Sequence, residues 1–171
     1  MVLRATSIVA KVNTQNPGQP VPLTPQEEGF LRALTQAMLT VPRVLDADLV
    51  REQAMSMNEY TVLMHLSEAP ERQLSMGELA GACALSLSGM TRIIHRLEDQ
   101  GLVCRERSGI DGRSRSAVLT ESGLKRLSQA WPTHLASVRR HVFNHLQAVD
   151  LPAATTVLKG FVADAPPTPQ Q

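Results

Sequence analysis

The stretch over residues 85–120 constrains the fold of this chain most, because it joins a short amphipathic helix to a basic hairpin. Apolar residues recur in the helix at the i, i+3, i+4, i+7 spacing of a single buried face. They are Met90, Ile93, Ile94 and Leu97. At about 100° per residue, Ser88, Arg92 and His95 lie opposite that face. The pattern predicts a helix with one buried side and one polar, exposed side.

A hairpin is expected directly after this helix. Gly101 is suited to end the helix in a left-handed conformation, and residues 102–107 read as a strand that alternates in polarity. The returning strand is expected at residues 117–119, with a connecting loop at residues 108–116. That loop contains an Asp-Gly pair, a dipeptide typical of hairpin turns.

A helix followed by a basic hairpin is typical of the winged helix-turn-helix, which grips duplex DNA. The stretch carries six arginines against four acidic residues. The helix residues expected to contact DNA are Ser86, Ser88, Gly89, Thr91, Arg92, His95 and Arg96. The hairpin residues expected to do so are Asp111, Arg113 and Arg115. An arginine on a thin loop can enter the minor groove, and an aspartate can fix its direction. The alternative is a solvated helix and an ordinary exposed hairpin.

The sequence here resembles a known family. The segments NEYTVLMHL, SMGELAGACALSLSGMTRIIHRLEDQGLV and RERSGIDGRSRSAVLTESG are similar to the DNA-binding core of MarR-type transcriptional regulators. The resemblance covers roughly residues 24–146 and includes the D-G-R-S-R wing and the L-T-x-x-G that follows. It implies a homodimeric regulator, expected to be a repressor, that binds a palindromic double-stranded DNA operator and is released by a small ligand. Pro132 departs from the family, in which the corresponding helix is long.

The resemblance also implies a ligand site where the winged core joins the dimerisation helices. In the family this cleft accepts aromatic, often phenolic, compounds. The residues expected to line it here are Met55, Met57 and Tyr60. Methionines at helical spacing usually belong to a core, which is the alternative interpretation.

Three capping boxes locate helix starts along the chain. Each has a Ser or Thr followed three residues later by Glu, beginning at Thr24, Ser56 and Ser75. The helix from Ser56 is expected to stop before Pro70. The short helix from Ser75, a tight turn and the helix capped by Ser86 form the predicted helix-turn-helix.

Two long apolar patterns contain a proline. Pro42 is expected to break or kink the first helix, and Pro132 to bend or split the helix that Thr120 caps. The latter pattern runs to Leu146, and Asp150 begins a last helix. The apolar stripes of these terminal helices exceed what a small winged domain can cover. A second copy of the chain is the expected partner.

The predicted fold class is mainly α with a small β-hairpin wing (α+β). A winged helix-turn-helix core is flanked by N- and C-terminal dimerisation helices. The expected division is a flexible tail (1–23), an N-terminal dimerisation region (24–55), the DNA-binding region (56–120), C-terminal dimerisation helices (121–163) and a disordered tail (164–171).

Composition excludes several other functions. Aromatic residues make up 3% of the chain, which argues against base stacking on single-stranded RNA. No phosphate-binding glycine loop, Gly-x-Ser-x-Gly elbow or His-Glu-x-x-His motif is present, so we expect neither an enzyme nor a cofactor. No apolar run approaches the ~20 residues of a membrane span, and the expected location is the cytoplasm, associated with the nucleoid.

Other functions remain open at this stage. One is a winged-helix module that binds proteins. Another is a regulator that senses thiol oxidation through Cys83 or Cys104, although small core cysteines are the commoner case. His141 and His145 lie four apart on a helix and could bridge a metal, but this segment offers no further ligands and no metal site is predicted.

Overall fold

The structure, a computed structural model, describes residues 21–108 and 114–163. Within these ranges it contains six α-helices and three β-strands. They are α1 (Pro25–Gln53), α2 (Met57–Glu68), β1 (Gln73–Ser75), α3 (Met76–Ala82), α4 (Leu87–Asp99), β2 (Val103–Ser108), β3 (Ser114–Leu119), α5 (Glu121–His141) and α6 (Leu151–Ala163). Short 3-10 turns lie at Pro70–Arg72 and Phe143–His145. The predicted fold class, mainly helical with a β wing, is confirmed.

The described part of the chain divides after Thr40 into a first and a second unit. The second unit contains the sheet, which is antiparallel in the order β1-β3-β2. β2 and β3 form the predicted hairpin, with Val103 opposite Leu119 at its base and Ser108 opposite Ser114 at its far end. The third strand, β1, was not predicted, because three residues are too few to show an alternating pattern. Its Leu74 lies opposite Ala117.

The returning strand of the hairpin is longer than predicted, and β2 has the predicted length but lies one residue later. Ser108 and residues 114–116 belong to the ladder rather than to the loop, because Ser114, Arg115 and Ser116 all find register partners on β2. The loop is therefore shorter than the predicted 108–116.

The core of the second unit lies where α2, α3, α4 and the base of the sheet meet. The predicted inner face of α4 is confirmed, since all four of its apolar residues are buried. The largest fully buried side chains are Tyr60, Leu49, Leu63, Leu66, Leu79, Met90, Ile94, Leu97, Val62 and Val103. Each Å² of apolar surface buried in this core stabilises the folded state by about 25 cal/mol, so the buried face of α4 holds the helix against the second unit.

The helix starts follow the capping boxes. Ser56 and Ser75 accept hydrogen bonds from the backbone of Glu59 and Glu78, and each glutamate returns a carboxylate to its cap. Thr24 and Glu27 make the same contacts at the start of α1. These three predictions are confirmed.

The L-T-x-x-G motif joins α5 to the wing. The Thr120 side chain accepts from the backbone of Gly123 at 3.0 Å and donates to the carbonyl of Gly101 at 2.8 Å. Gly101 has φ +70°, the left-handed value predicted for it. A Cβ at Gly123 would meet the carbonyl of Leu102 and a methyl of Leu119. The glycine therefore allows α5 to approach the base of the wing closely.

Neither proline ends its helix. α1 continues through Pro42 and α5 continues through Pro132, so the predicted break and split are wrong. Buried residues follow Pro42, and Ala130 and Ser137 are buried on either side of Pro132. These tertiary contacts offset the lost backbone donor.

α5 ends earlier than its apolar pattern predicted. The helix stops at His141 because Val142 leaves the helical region, with φ −124° and ψ −69°, and a 3-10 turn follows. The pattern to Leu146 was therefore wrong for the last residues. α6 begins as predicted, with Asp150 accepting from the backbone of Ala153 at 3.1 Å.

The terminal helices expose much of their apolar surface. In the first unit, Phe30 is 62% exposed. In α6, Ala154 alone among the described side chains is partly covered. The exposed large apolar residues of these helices and of α5 are Phe30, Leu31, Met38, Leu39, Val50, Trp131, Leu135, Leu151, Val157, Leu158 and Phe161. None of the described helices is long and apolar enough to cross a membrane.

Candidate nucleic-acid interface

α4 presents a continuous polar surface opposite its buried face. Of the seven helix residues predicted to contact DNA, Gly89 is half-buried and the other six are exposed. These six are Ser86, Ser88, Thr91, Arg92, His95 and Arg96. The structure therefore brings the predicted helix residues onto one accessible surface, as the helical spacing required.

Three hydroxyls gather at the start of α4. Ser86 caps the helix by accepting from the backbone of Gly89 at 3.1 Å, and its Oγ lies 3.1 Å from the Oγ of Ser88. Thr91 donates back to the carbonyl of Leu87 at 2.8 Å. Hydroxyls at the N-terminal end of such a helix can bond phosphates or base edges.

The exposed face of α4 also carries a contact between an imidazole and a carboxylate. His95 Nδ1 lies 2.8 Å from an Asp99 carboxylate oxygen, and both side chains are about two-thirds exposed. Such exposed pairs contribute little to stability and rearrange readily. Arg92 lies between these residues and Ser88 on the same face, with its side chain exposed.

One flank of α4 contacts α2. Arg96 Nε donates to a Glu59 carboxylate oxygen at 3.2 Å. Sequence reasoning placed Arg96 among the DNA contacts but did not find its partner, which lies 37 residues away. The capping box identified Glu59 as a helix-start residue and gave no signal for the second contact.

The opposite flank of α4 contacts the wing. Arg105 of β2 lies 3.3 Å from Glu98 and reaches toward the carbonyl of Thr91 at 3.5 Å. With Glu106 and Arg115, these two charged residues line a groove between α4 and the hairpin. Arg105 and Glu98 were not predicted as site residues. Their opposite charges lie side by side between α4 and the wing, although Arg105 Nε is buried without a hydrogen-bond partner among the described residues.

The wing is described in part. Arg115 is exposed, but it lies on β3 opposite Arg107 of β2 rather than in the predicted loop. Asp111 and Arg113 lie outside the described residues. The geometry therefore places one of the three predicted wing residues.

The residues predicted to line a ligand site lie at or near the core. Met55 and Tyr60 are buried and Met57 is half-buried. Tyr60 stacks on His134 of α5 with ring centroids 4.4 Å apart. Within the described part of the chain, the Tyr60 hydroxyl and His134 Nδ1 are both buried without a hydrogen-bond partner. Burial raises the pKa of Tyr60 to about 12 and lowers that of His134.

A buried carboxylate joins α1 to α5. Asp48 accepts from Ser137 Oγ and Arg51 Nη2, each at 2.6 Å, and lies 3.1 Å from His141 Nε2. The hydrogen bonds from Ser137 and Arg51 lower the pKa of Asp48 to about 2. Asp48 was not predicted as a site residue. His141 thus contacts a carboxylate of another helix.

Thiol sensing and metal sensing are the remaining alternatives. Cys83 and Cys104 are both free and half-buried, and burial raises the pKa of the Cys83 thiol. Among the residues that the structure describes, no three His, Cys, Asp or Glu side chains are grouped to hold a metal.

Comparisons with known proteins agree with this geometry. The MarR family model matches residues 55–114. A MarR family transcriptional regulator from Streptomyces coelicolor, solved in complex with DNA, is 30% identical over 88% of this chain and 94% of its own, with a TM-score of 0.81. AbsC, a MarR family regulator from the same organism, is 34% identical over 84% and 97%, with a TM-score of 0.77.

A third structure shares the fold at lower identity. CouR from Rhodococcus jostii RHA1, bound to p-coumaroyl-CoA, is 22% identical over 82% of this chain and 93% of its own, with a TM-score of 0.62. No curated protein matches the chain in sequence. A winged helix-turn-helix with a polar recognition helix, together with these matches along most of both chains, assigns the protein to the MarR family of transcriptional regulators.

Proposed function

We propose that this regulator is a repressor that binds a palindromic operator in double-stranded DNA as a homodimer and leaves it when a small aromatic ligand binds. The observation that carries this proposal is the exposed polar face of α4, held over a fully buried apolar face. A rigid helix with hydroxyl, imidazole and guanidinium groups on its free side suits the major groove. Its DNA-bound relative supports the same interpretation.

The proposed DNA contacts divide between α4 and the wing. The predicted α4 residues, from Ser86 to Arg96, would face the major groove. Arg115, with Arg113 and Asp111 at the predicted wing tip, would follow the minor groove or its phosphates. Binding through these groups to chromosomal DNA would place the protein at the nucleoid.

The proposed second copy would cover the terminal helices. α6 exposes Leu158 and Phe161, and α5 exposes Trp131. Exposed apolar surface of this extent marks an interaction site. A two-fold dimer places two recognition helices about one DNA turn apart, some 34–36 Å, which is why the operator is proposed to be palindromic.

The proposed effector site includes Met55, Met57 and Tyr60. The buried Tyr60 hydroxyl and His134 Nδ1 offer a donor and an acceptor that an incoming polar aromatic compound could satisfy. CouR, which binds p-coumaroyl-CoA, supports an aromatic ligand class. The dimer is proposed to have two forms that differ in the separation of the two wings, and only one of them fits the operator. A ligand that binds more tightly to the other form lowers the DNA affinity by the difference between its two binding free energies.

The direct test is binding to a labelled DNA fragment from immediately upstream of the coding sequence, with nonspecific competitor and a salt series. Specific binding should survive competitor and fall steeply with salt. Arg92→Ala should weaken it by roughly tenfold, as expected for one arginine contact. Arg139→Ala removes the same charge from an exposed position near the end of α5 and should have little effect. Equal loss in both variants would contradict the proposed interface.

A protein-binding module is the second candidate, because the same exposed face could meet a protein. In that case the wild-type protein would show only competitor-sensitive DNA binding, and Arg92→Ala would leave the partner complex intact.

A further inference from the structure

Glu59 uses its two carboxylate oxygens for two different elements. Oε2 accepts from the backbone nitrogen and the hydroxyl of Ser56, both at 2.9 Å, and so caps α2. Oε1 accepts from Nε of Arg96 on α4 at 3.2 Å. The Glu59 side chain is only 13% exposed, and it meets Arg96 at the surface of the protein. One side chain thus ties the start of α2 to the recognition helix.

The start of α2 is itself held by α1, and the end of α1 is held by α5. The backbone nitrogen of Met57 donates to Asp46 of α1 at 2.7 Å. The carbonyl of Gln53, at the end of α1, accepts from Arg126 of α5. Glu59 therefore projects from a point that neighbouring helices fix, and it can fix Arg96 in turn.

Arg96 keeps donors to spare. Its side chain is 56% exposed. Among the described residues, its hydrogen-bond partner is Glu59 through Nε, which leaves the Nη fork unused. A guanidinium held at Nε loses less conformational freedom when its fork binds a phosphate.

We infer that Glu59 is a positioning residue for DNA binding, which holds Arg96 so that the Nη fork can take a DNA phosphate. The inference rests on the proposed function, since it needs α4 to face DNA. It assigns Arg96 two simultaneous partners, one in α2 and one in the operator. The joint between α1 and α2 is thereby connected to the DNA contact through two side chains.

The chain offers a matched control for Glu59. Glu78 caps α3 in the same capping-box arrangement: its carboxylate accepts from the backbone nitrogen of Ser75 at 2.9 Å, and its own backbone nitrogen donates to the Ser75 hydroxyl at 3.3 Å. Its carboxylate has no arginine partner among the described residues. Glutamine serves in a capping box as glutamate does. Glu59→Gln and Glu78→Gln therefore make the same change in charge and cap, and only the first removes the charged partner of Arg96.

The experiment measures the affinity of the full-length variants for the upstream operator fragment over a salt series. Glu59→Gln is expected to weaken binding by about three- to tenfold, the effect of one charge-assisted contact, relative to Glu78→Gln. Arg96→Ala is expected to lower the salt slope by about 0.9, as for one lost phosphate. In an Arg96→Ala background, Glu59→Gln should have no additional effect.

Each contrary result overturns the inference. Glu59→Gln binding like Glu78→Gln, or more tightly, would show that the carboxylate does not assist Arg96. An unchanged salt slope for Arg96→Ala would exclude the phosphate contact. If Glu59→Gln failed to fold, Arg96→Lys would decide, because lysine lacks the fork and should bind as weakly as predicted for Glu59→Gln. Wild-type affinity of Arg96→Lys would then contradict the inference. Failure of the wild-type protein to bind any operator would instead refute the proposed function.

Discussion

The winged core buries its large apolar side chains, whereas the last helix exposes them. Leu63 of α2 is fully buried, whereas Leu158 of α6 is 54% exposed. Both lie on helices with apolar stripes, so hydrophobicity alone does not distinguish them. The apolar stripe of α2 packs against other parts of the same chain, whereas the apolar stripe of α6 is exposed. The comparison separates residues that set the stability of the chain from residues proposed to set its assembly.

The largest effect should come from truncating a core leucine. Leu63→Ala is expected to lower the free energy of unfolding by roughly 4 kcal/mol, because it leaves a cavity in the core. Leu158→Ala makes the same change on α6 and should weaken the dimer instead. Denaturant unfolding and sedimentation at several concentrations separate the two. If Leu158→Ala lowered the free energy of unfolding equally at all protein concentrations, Leu158 would not act through the dimer, and its contrast with Leu63 would be wrong.

The next effect contrasts two glycines. Gly123→Ala is expected to cost roughly 3 kcal/mol, because the new methyl meets the Leu102 carbonyl. Gly160 of α6 has open space around its Cβ position, so Gly160→Ala should leave the chain as stable or more so. Thermal unfolding of both variants is the measurement. Similar melting temperatures would show that α5 does not approach the wing as closely as described.

A smaller effect concerns the buried carboxylate between α1 and α5. The folded pKa of Asp48, about 2, lies below its usual value of 3.8. Its contribution to stability is therefore present above pH 3.8 and is lost as the pH falls toward 2, by about 2 kcal/mol in all. Asp48→Asn should lack this contribution at neutral pH and show a flatter acid profile between pH 4 and 2. Parallel profiles for the two proteins would contradict the assignment.

The smallest effect should come from the buried tyrosine. Tyr60→Phe removes a hydroxyl without a partner among the described residues, so stability should rise by less than about 1 kcal/mol or stay unchanged. Release from DNA by an aromatic ligand should weaken if that hydroxyl binds the ligand. A clear loss of stability would mean that the hydroxyl already has a partner.

Local chemistry made most of the fold predictable. The capping boxes at Thr24, Ser56 and Ser75 depend on residues three apart, and all three helices begin where these motifs indicate. The buried face of α4 follows from its spacing in the same way. The same spacing predicted the α4 part of the expected contact set, and the structure shows those residues on one accessible face.

Contacts between distant residues could not be predicted in this way. Glu59 and Arg96 lie 37 residues apart, and Asp48 and Ser137 lie 89 apart. Neither pair leaves a pattern in a single sequence. The same limit applies to Pro132, which a local rule expects to bend or split the helix and which lies in a continuous helix between the buried Ala130 and Ser137.

The number of chains in the protein–DNA complex tests most directly whether the protein binds a palindromic operator as a homodimer. Native mass spectrometry of the wild-type protein with the upstream fragment and excess competitor would count chains per duplex. We predict two chains on one palindromic duplex, with Leu158→Ala shifting the complex toward dissociation and Arg92→Ala weakening it by roughly tenfold. A single chain per duplex would contradict the proposal that the terminal helices form a dimer. A complex that competitor removes would contradict specific DNA binding by the winged core.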